Sequence, residues 1–201
     1  MRKVGFHPGV GPWTIRIRKS LISPFIGTGE LYIGARAIII AAMAREPIPT
    51  WTFAMVVVRR DDTFLVVHER SHGQSWYLPG GRVEPGEEIE GAAMRETLEE
   101  AGVHIVLEGL LRVEHSPDRS GSARCRVFFV ARPDGDPSPK STPDEHSLEA
   151  RWVTLDELEK LPLRGPEVVE IFRYVASGGA VYPLSVLTYE GARWMPRTAA
   201  K

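Results

Sequence analysis

Cysteine is nearly absent, with one residue, Cys125, in 201. A lone cysteine cannot close an internal disulfide. Its place at the head of the apolar run Cys-Arg-Val-Phe-Phe-Val reads as a buried structural thiol, in keeping with a reducing, cytoplasmic compartment. Long hydrophobic runs are absent too. Crossing a bilayer takes about 20 apolar residues, and the run at 37–44 is too short to span and too late to be the core of a signal peptide. No histidines fall at zinc-ligand spacing, which argues against a zinc peptidase. No loop of the form G-x-x-x-x-G-K followed by Ser or Thr occurs, which excludes the usual ATP-driven machinery. The formal net charge of -1 lacks the basic excess of a bulk nucleic-acid binder. There is neither an internal repeat nor a low-complexity tract. Neither a nucleic acid nor a membrane is therefore an expected partner.

What is present is an ordinary globular composition, 43% hydrophobic and 25% charged, over a length that suits one domain with an extension. Residues 1–50 form that extension, residues 51–190 the domain, and residues 191–201 a tail. Up to Arg45 the extension holds seven Lys or Arg against one acid, Glu30. The bias suggests a targeting peptide or an anion-facing arm, but a packed extension, or a surface joining two copies in a homodimer, is the expected role. Glu46-Pro47-Ile48-Pro49 reads as a linker stiffened by proline.

Within the domain, residues 53–59 and 64–68 read as strands around an Asp61-Asp62 turn. Residues 103–113 read as a strand bent at Gly109, 124–131 as a further hydrophobic strand, and 149–153 as a short one. The stretch 133–142 is dense in Pro, Gly, Ser and Asp and predicts a long flexible loop. Thr154 with Glu157 forms a capping box ahead of a short helix. Residues 168–176 repeat apolar side chains at helical spacing.

The chain is organised around 80–103. Gly80-Gly81 allow a turn that passes close to other groups, Pro85-Gly86 mark a second turn, and residues 88–101 are good helix formers closed by Gly102. On that helix Glu96 and Glu100 are four residues apart, and Glu96 and Glu99 three, so they share a face. Like charges so placed cost a few tenths of a kcal/mol per pair unless a positive group lies among them. A hard divalent cation, which prefers oxygen ligands, meets that need.

Gly81, Glu87, Arg95, Glu96, Leu98, Glu99, Glu100, Gly102 and Val103 stand at the spacing of the Nudix hydrolase signature, and the stretch resembles that family. Thr97 is the one departure, where the family usually has an aliphatic residue; its methyl group is expected to serve in the core. The flanks, at 74–87, 127–133, 147–152, 162–164 and 182–184, resemble the branch of 8-oxo-dGDP and nucleoside-phosphate phosphatases. The resemblance covers about 51–187.

This resemblance implies an α/β (α+β) fold, an α/β/α sandwich around a mixed β-sheet. It implies a hydrolase in which Glu96, Glu99 and Glu100 hold Mg2+ or Mn2+ with the Gly80 carbonyl as a further ligand, and in which Arg95 pairs with Glu87 to fix the loop against the helix. Gly81, Glu87 and Gly102 support the site. The catalytic base varies in the family; Asp144, Glu145 and Glu149 are the candidates on a later loop. The expected substrate is a small nucleoside di- or triphosphate derivative. Trp76 and Tyr77 are the aromatics nearest the turn, one expected to stack on a base and the other to enter the core, with Arg82 beside them. His72 is expected to be solvated. Two alternatives stand beside this reading. One is hydrolysis of ADP-ribose or another nucleotide sugar, hinted at by Pro117 fourteen residues past Val103. The other is a non-catalytic nucleotide-binding module, against which the intact glutamates speak.

Overall fold

The computed structural model of the chain describes residues 47–194. The basic arm, the apolar run at 37–44, Glu46 and the tail beyond 194 lie outside the described residues.

The centre is β1 (Thr50–Arg60), whose middle, Ala54 to Val58, is buried on both faces. A strand covered on both sides must be apolar throughout rather than alternating, which is why Ala-Met-Val-Val-Val occupies it. Along one edge β1 runs parallel to β6 (Ala123–Pro133). Its other edge is shared: the start pairs with β4 (Gly80–Arg82) and the end with β2 (Thr63–Glu69), both antiparallel. β5 (Ile105–Pro117) lies antiparallel outside β6, while β3 (Trp76–Tyr77) and β7 (Ser147–Val153) flank β2. The sheet is therefore mixed and seven-stranded.

Strand alternation sends β1 side chains into two cores. Ala54, Val56 and Val58 meet Ala92, Ala93 and Ala101 of α1 (Ile89–Ala101). Met55 and Val57 meet Leu158 of α2 (Leu155–Leu158) and Val168, Phe172 and Val175 of α3 (Glu167–Ala176). Each fully buried valine stabilises the fold by roughly 1.5–3 kcal/mol. Phe172 also meets Phe64 edge to face, with centroids 5.0 Å apart. The α/β/α sandwich expected from the sequence is the observed architecture. No helix among the described residues is long and apolar enough to cross a membrane.

Local signals hold where they are local. Gly102 ends α1 in the left-handed region at φ 70°, its N–H donating to the Leu98 carbonyl at 2.8 Å. The Thr154–Glu157 capping box forms. Thr97 faces the core and donates its hydroxyl to the Ala93 carbonyl at 2.8 Å, so its polar atom is satisfied inside the helix. β5 shifts register on either side of Gly109, as the expected bend requires. Cys125 is half-buried.

The loop expected at 133–142 is present beyond the end of β6, and it is anchored at Lys140. Lys140 donates its backbone N–H to the Ala101 carbonyl and accepts from the Ala150 N–H, both at 2.8 Å. The segment is tied between the end of α1 and β7, partners too distant in sequence for local composition to disclose.

Candidate active site

The site begins at the glycine turn between β3 and β4. The Val56 N–H donates to the Pro79 carbonyl at 2.9 Å, and β4 then pairs with Phe53, Ala54 and Met55. Gly80 has φ +150°, and a Cβ there would lie 2.3 Å from the Ala54 carbonyl oxygen. At Gly81 a Cβ would lie 2.3 Å from the carboxyl group of Glu96. The two glycines thus let the turn press on β1 and on α1 at once. The Gly80 N–H donates to Glu100 Oε2 at 2.9 Å; this hydrogen bond engages the N–H, and the carbonyl assigned to a metal from the sequence is a separate atom.

Arg95 collects the acids on the exposed flank of α1. Its Nε and Nη2 donate to the two oxygens of Glu87 at 2.8 and 3.0 Å, its Nη1 to Glu96 at 2.9 Å and to Glu99 at 3.0 Å, and its Nη2 also to the Arg82 carbonyl at 3.1 Å. The forked guanidinium matches a carboxylate with two parallel donors. Glu87 is further held by the Glu84 N–H at 3.0 Å. The Arg95 hydrogen bonds keep the Glu87 carboxyl below its ordinary range, and Glu87 in turn holds the guanidinium more firmly protonated. Because both side chains are mostly shielded, a double-mutant cycle of Arg95→Met and Glu87→Gln should give a coupling of about 1 kcal/mol or more in urea unfolding. Additive effects would mean that the two groups do not support each other.

The other two carboxyls behave oppositely. Burial pushes Glu96 up, opposed by Arg95. Burial likewise pushes Glu100 up to about 8, against the Gly80 N–H; neighbouring Glu96 and Glu69 add to the rise and Lys140 opposes it. Crowded, desolvated carboxyls hold their protons unless a cation joins them.

The donor set suits a hard divalent ion: Glu96, Glu99 and Glu100 offer oxygen only. As the side chains stand, Arg95 binds Glu96 and Glu99, and among the described residues no group of three acids, histidines or cysteines converges in ligating geometry. The chemistry of the set, oxygen donors only with two carboxyls raised by burial, nevertheless fits such an ion.

Of the remaining predicted residues, Trp76 and Tyr77 require a correction. Both are 4% exposed, and both belong to the core under α2 and α3. The Trp76 ring stacks on His68 at 4.7 Å with Arg151 at 4.9 Å. The Tyr77 hydroxyl accepts from Arg126 Nη1 at 3.3 Å, with Arg164 over the ring. Packing takes both rings, so neither stacks on a base. Arg82 is exposed and lies 4.1 Å over the Trp51 ring. His72 is exposed, beside Glu69 at 3.3 Å.

The later-loop acids separate. Lys140 and the backbone N–H groups of His146 and Ser147 hold Asp144 well below the usual carboxylate range. Glu149 sits on β7, paired with Arg151 at 2.6 Å and 3.6 Å from His68. Glu145 is 87% exposed, 3.5 Å from His146, whose other ring nitrogen is 3.9 Å from Glu99. Three residues at the site escaped the sequence reading: Glu69, Lys140 and Ser147. None carries a local signal: Lys140 and Ser147 reach α1 from a distant loop and strand, and Glu69 bears on Glu100 through its charge from β2.

Comparison with known proteins identifies the family of the domain. The NUDIX domain profile matches residues 49–174. The human 8-oxo-dGDP phosphatase NUDT18 is 39% identical over 124 residues, covering 60% of this chain and 37% of the human protein, so the match spans little more than a third of that relative. Phosphatase NudJ of Shigella boydii is 33% identical over 135 residues, covering 65% of this chain and 86% of that protein. Among solved structures, a NUDIX hydrolase from Nitrosomonas europaea superposes with a TM-score of 0.58 at 29% identity, covering 71% of this chain and 99% of that one.

Proposed function

Because this chain belongs to the Nudix hydrolase family, we propose that it cleaves the diphosphate linkage of a nucleoside di- or triphosphate, with Mg2+ or Mn2+ held by Glu96, Glu99 and Glu100. The observation that carries the proposal is the glycine turn seated on α1, with the Gly80 N–H on Glu100 and Gly81 bare beneath Glu96.

A divalent ion bound there would neutralise phosphate oxygens and acidify a water molecule. The chain's own groups do the rest. Arg95 ties Glu87 and the Arg82 carbonyl to α1, which fixes the turn against the carboxylates. Glu100 is half-buried, and burial raises its carboxyl while no ion is present, so a cation held there would displace its proton. Glu145 is the later-loop acid that we assign as base: Asp144 is engaged in the loop itself and Glu149 in its pair with Arg151.

A nucleoside finds support on the far side of the sheet. A cavity of about 380 Å³ there has Leu111, Phe128, Ile171 and Tyr174 for apolar walls and Glu114 and Arg126 at its polar edge. On β1, Phe53 pairs with Arg82 on one side and with Arg126 on the other. The human relative is an 8-oxo-dGDP phosphatase, which supports the same substrate class.

The test is kcat/KM for dGDP, 8-oxo-dGDP, GTP, ADP-ribose and thiamine pyrophosphate under one Mg2+ condition. A nucleoside di- or triphosphate should lead. An ADP-ribose value tenfold above all others would overturn the substrate assignment while leaving the hydrolase chemistry standing.

A further inference from the structure

The last turn of α1 is electrostatically awkward. A helix C-terminus carries partial negative charge and unsatisfied carbonyls, and favours basic residues. Here the turn contains Glu99 and Glu100 and no basic residue. The compensation comes from forty residues away. The Lys140 ammonium group donates to the Glu99 carbonyl, the Lys140 backbone N–H to the Ala101 carbonyl at 2.8 Å, and the Ser147 hydroxyl to the Glu100 carbonyl at 2.6 Å. Three successive carbonyls of the carboxylate-bearing turn are thus each capped from one segment.

That segment is itself knotted. Lys140 Nζ also binds Asp144 Oδ2 at 2.5 Å, Asp144 Oδ1 accepts from the His146 and Ser147 N–H groups at 2.9 and 3.1 Å, and Arg70 donates to the Asp144 carbonyl at 2.7 Å. The Lys140 side chain is only 13% exposed. A lysine so shielded gives up most of its hydration and its rotamer freedom, which makes it an unusual choice for mere surface decoration.

We propose that Lys140, braced by Asp144 and Ser147, is a positioning residue for the carboxylate site: it fixes the backbone of Glu99, Glu100 and Ala101 so that the side chains of Glu99 and Glu100 are presented together. Lys140 touches neither substrate nor ion; it acts through the α1 backbone. The proposal rests on the hydrolase reading above, because it takes those glutamates as the ion's ligands. It extends that reading by placing control of the site in a loop outside the signature.

The experiment measures Mn2+ binding to the full chain by titration calorimetry, well below the thermal midpoint, together with the Mg2+ dependence of kcat. Lys140→Met keeps the length and removes the charge; Lys140→Arg keeps the charge. Lys140→Met should weaken Mn2+ binding tenfold or more, as losses of supporting partners at metal sites typically do, and shift the Mg2+ requirement for turnover upward by a similar factor. Lys140→Arg should recover most of the affinity. Ser147→Ala, which removes one donor of the three, should weaken Mn2+ binding about threefold and serves if Lys140→Met does not fold. Unchanged Mn2+ affinity in whichever of Lys140→Met and Ser147→Ala folds, whatever its thermal midpoint, would overturn the proposal by reducing the loop to a structural prop. Failure of the wild-type protein itself to bind Mn2+ would instead overturn the metal-site reading, and this inference with it.

Discussion

Glu100→Gln is expected to lower kcat by a factor of about 10² to 10³, equivalent to roughly 3–4 kcal/mol of transition-state stabilisation, and to do so without unfolding the protein. The carboxyl is held by the Gly80 N–H at 2.9 Å, and a glutamine oxygen can accept the same bond, so geometry is kept while charge is lost. The same variant should change stability with a definite sign. The native Glu100 carboxyl is raised from 4.5 to about 8. A raised carboxyl means that the native state binds the proton more tightly than the unfolded chain. The contribution of Glu100 to stability is therefore fully present below about 4.5 and is lost as pH climbs through 8. In EDTA, thermal midpoints of the wild type should decline between pH 5 and pH 8.5, and Glu100→Gln should decline less, by about 1–3 kcal/mol in unfolding free energy. Excess Mg2+ should remove the wild type's disadvantage at pH 8.5. Retention of more than a tenth of wild-type kcat in a folded variant would sink the assignment of Glu100. Parallel pH profiles for the two proteins would show that its carboxyl is not desolvated.

Gly81→Ala is the second large effect, and here activity and stability should part company. The added Cβ would lie 2.3 Å from Glu96 Oε1 and from the carboxyl carbon. What it strikes is the far end of a flexible side chain, so the clash is relieved by turning Glu96 away rather than by moving the backbone. The cost in stability should stay below about 1 kcal/mol. Turning Glu96 away, however, breaks its 2.9 Å bond to Arg95 and removes a carboxylate from the proposed ion site. A fall in kcat of about 10²-fold is expected, since misplacement by an ångström can cost that much. Turnover and the urea midpoint measured on the same preparation decide the matter. Unchanged turnover would show that Glu96 works from a range of positions. A large stability loss with turnover intact at low temperature would mean that Gly81 serves the fold and not the site.

Local chemistry was readable from the sequence because its causes lie within a few residues. The α1 helix with its Gly102 cap needs only helix formers and a residue tolerant of positive φ. The Thr154–Glu157 capping box spans four residues, and the valine-rich run of β1 needs only its own side chains. The Arg95–Glu87 pair, eight residues apart, was legible because the spacing of the whole stretch resembles a known signature. Tertiary structure decided what depends on partners far along the chain. Trp76 and Tyr77 lie next to the glycine turn in sequence, yet His68, Arg151, Arg126 and Arg164 close around them, so proximity in sequence did not make them part of a binding surface. Lys140 sits in a stretch whose Pro, Gly and Ser content reads as mobile, yet it caps the turn that carries Glu99 and Glu100. The parallel pairing of β1 with β6, seventy residues on, brings Arg126 into line with Phe53 and Arg82. Helix propensity, capping and alternation act over one to four residues and leave a mark in composition. Burial and long-range hydrogen bonds are settled only when distant segments compete for the same carbonyl or the same ring face, and no single stretch of sequence records who wins.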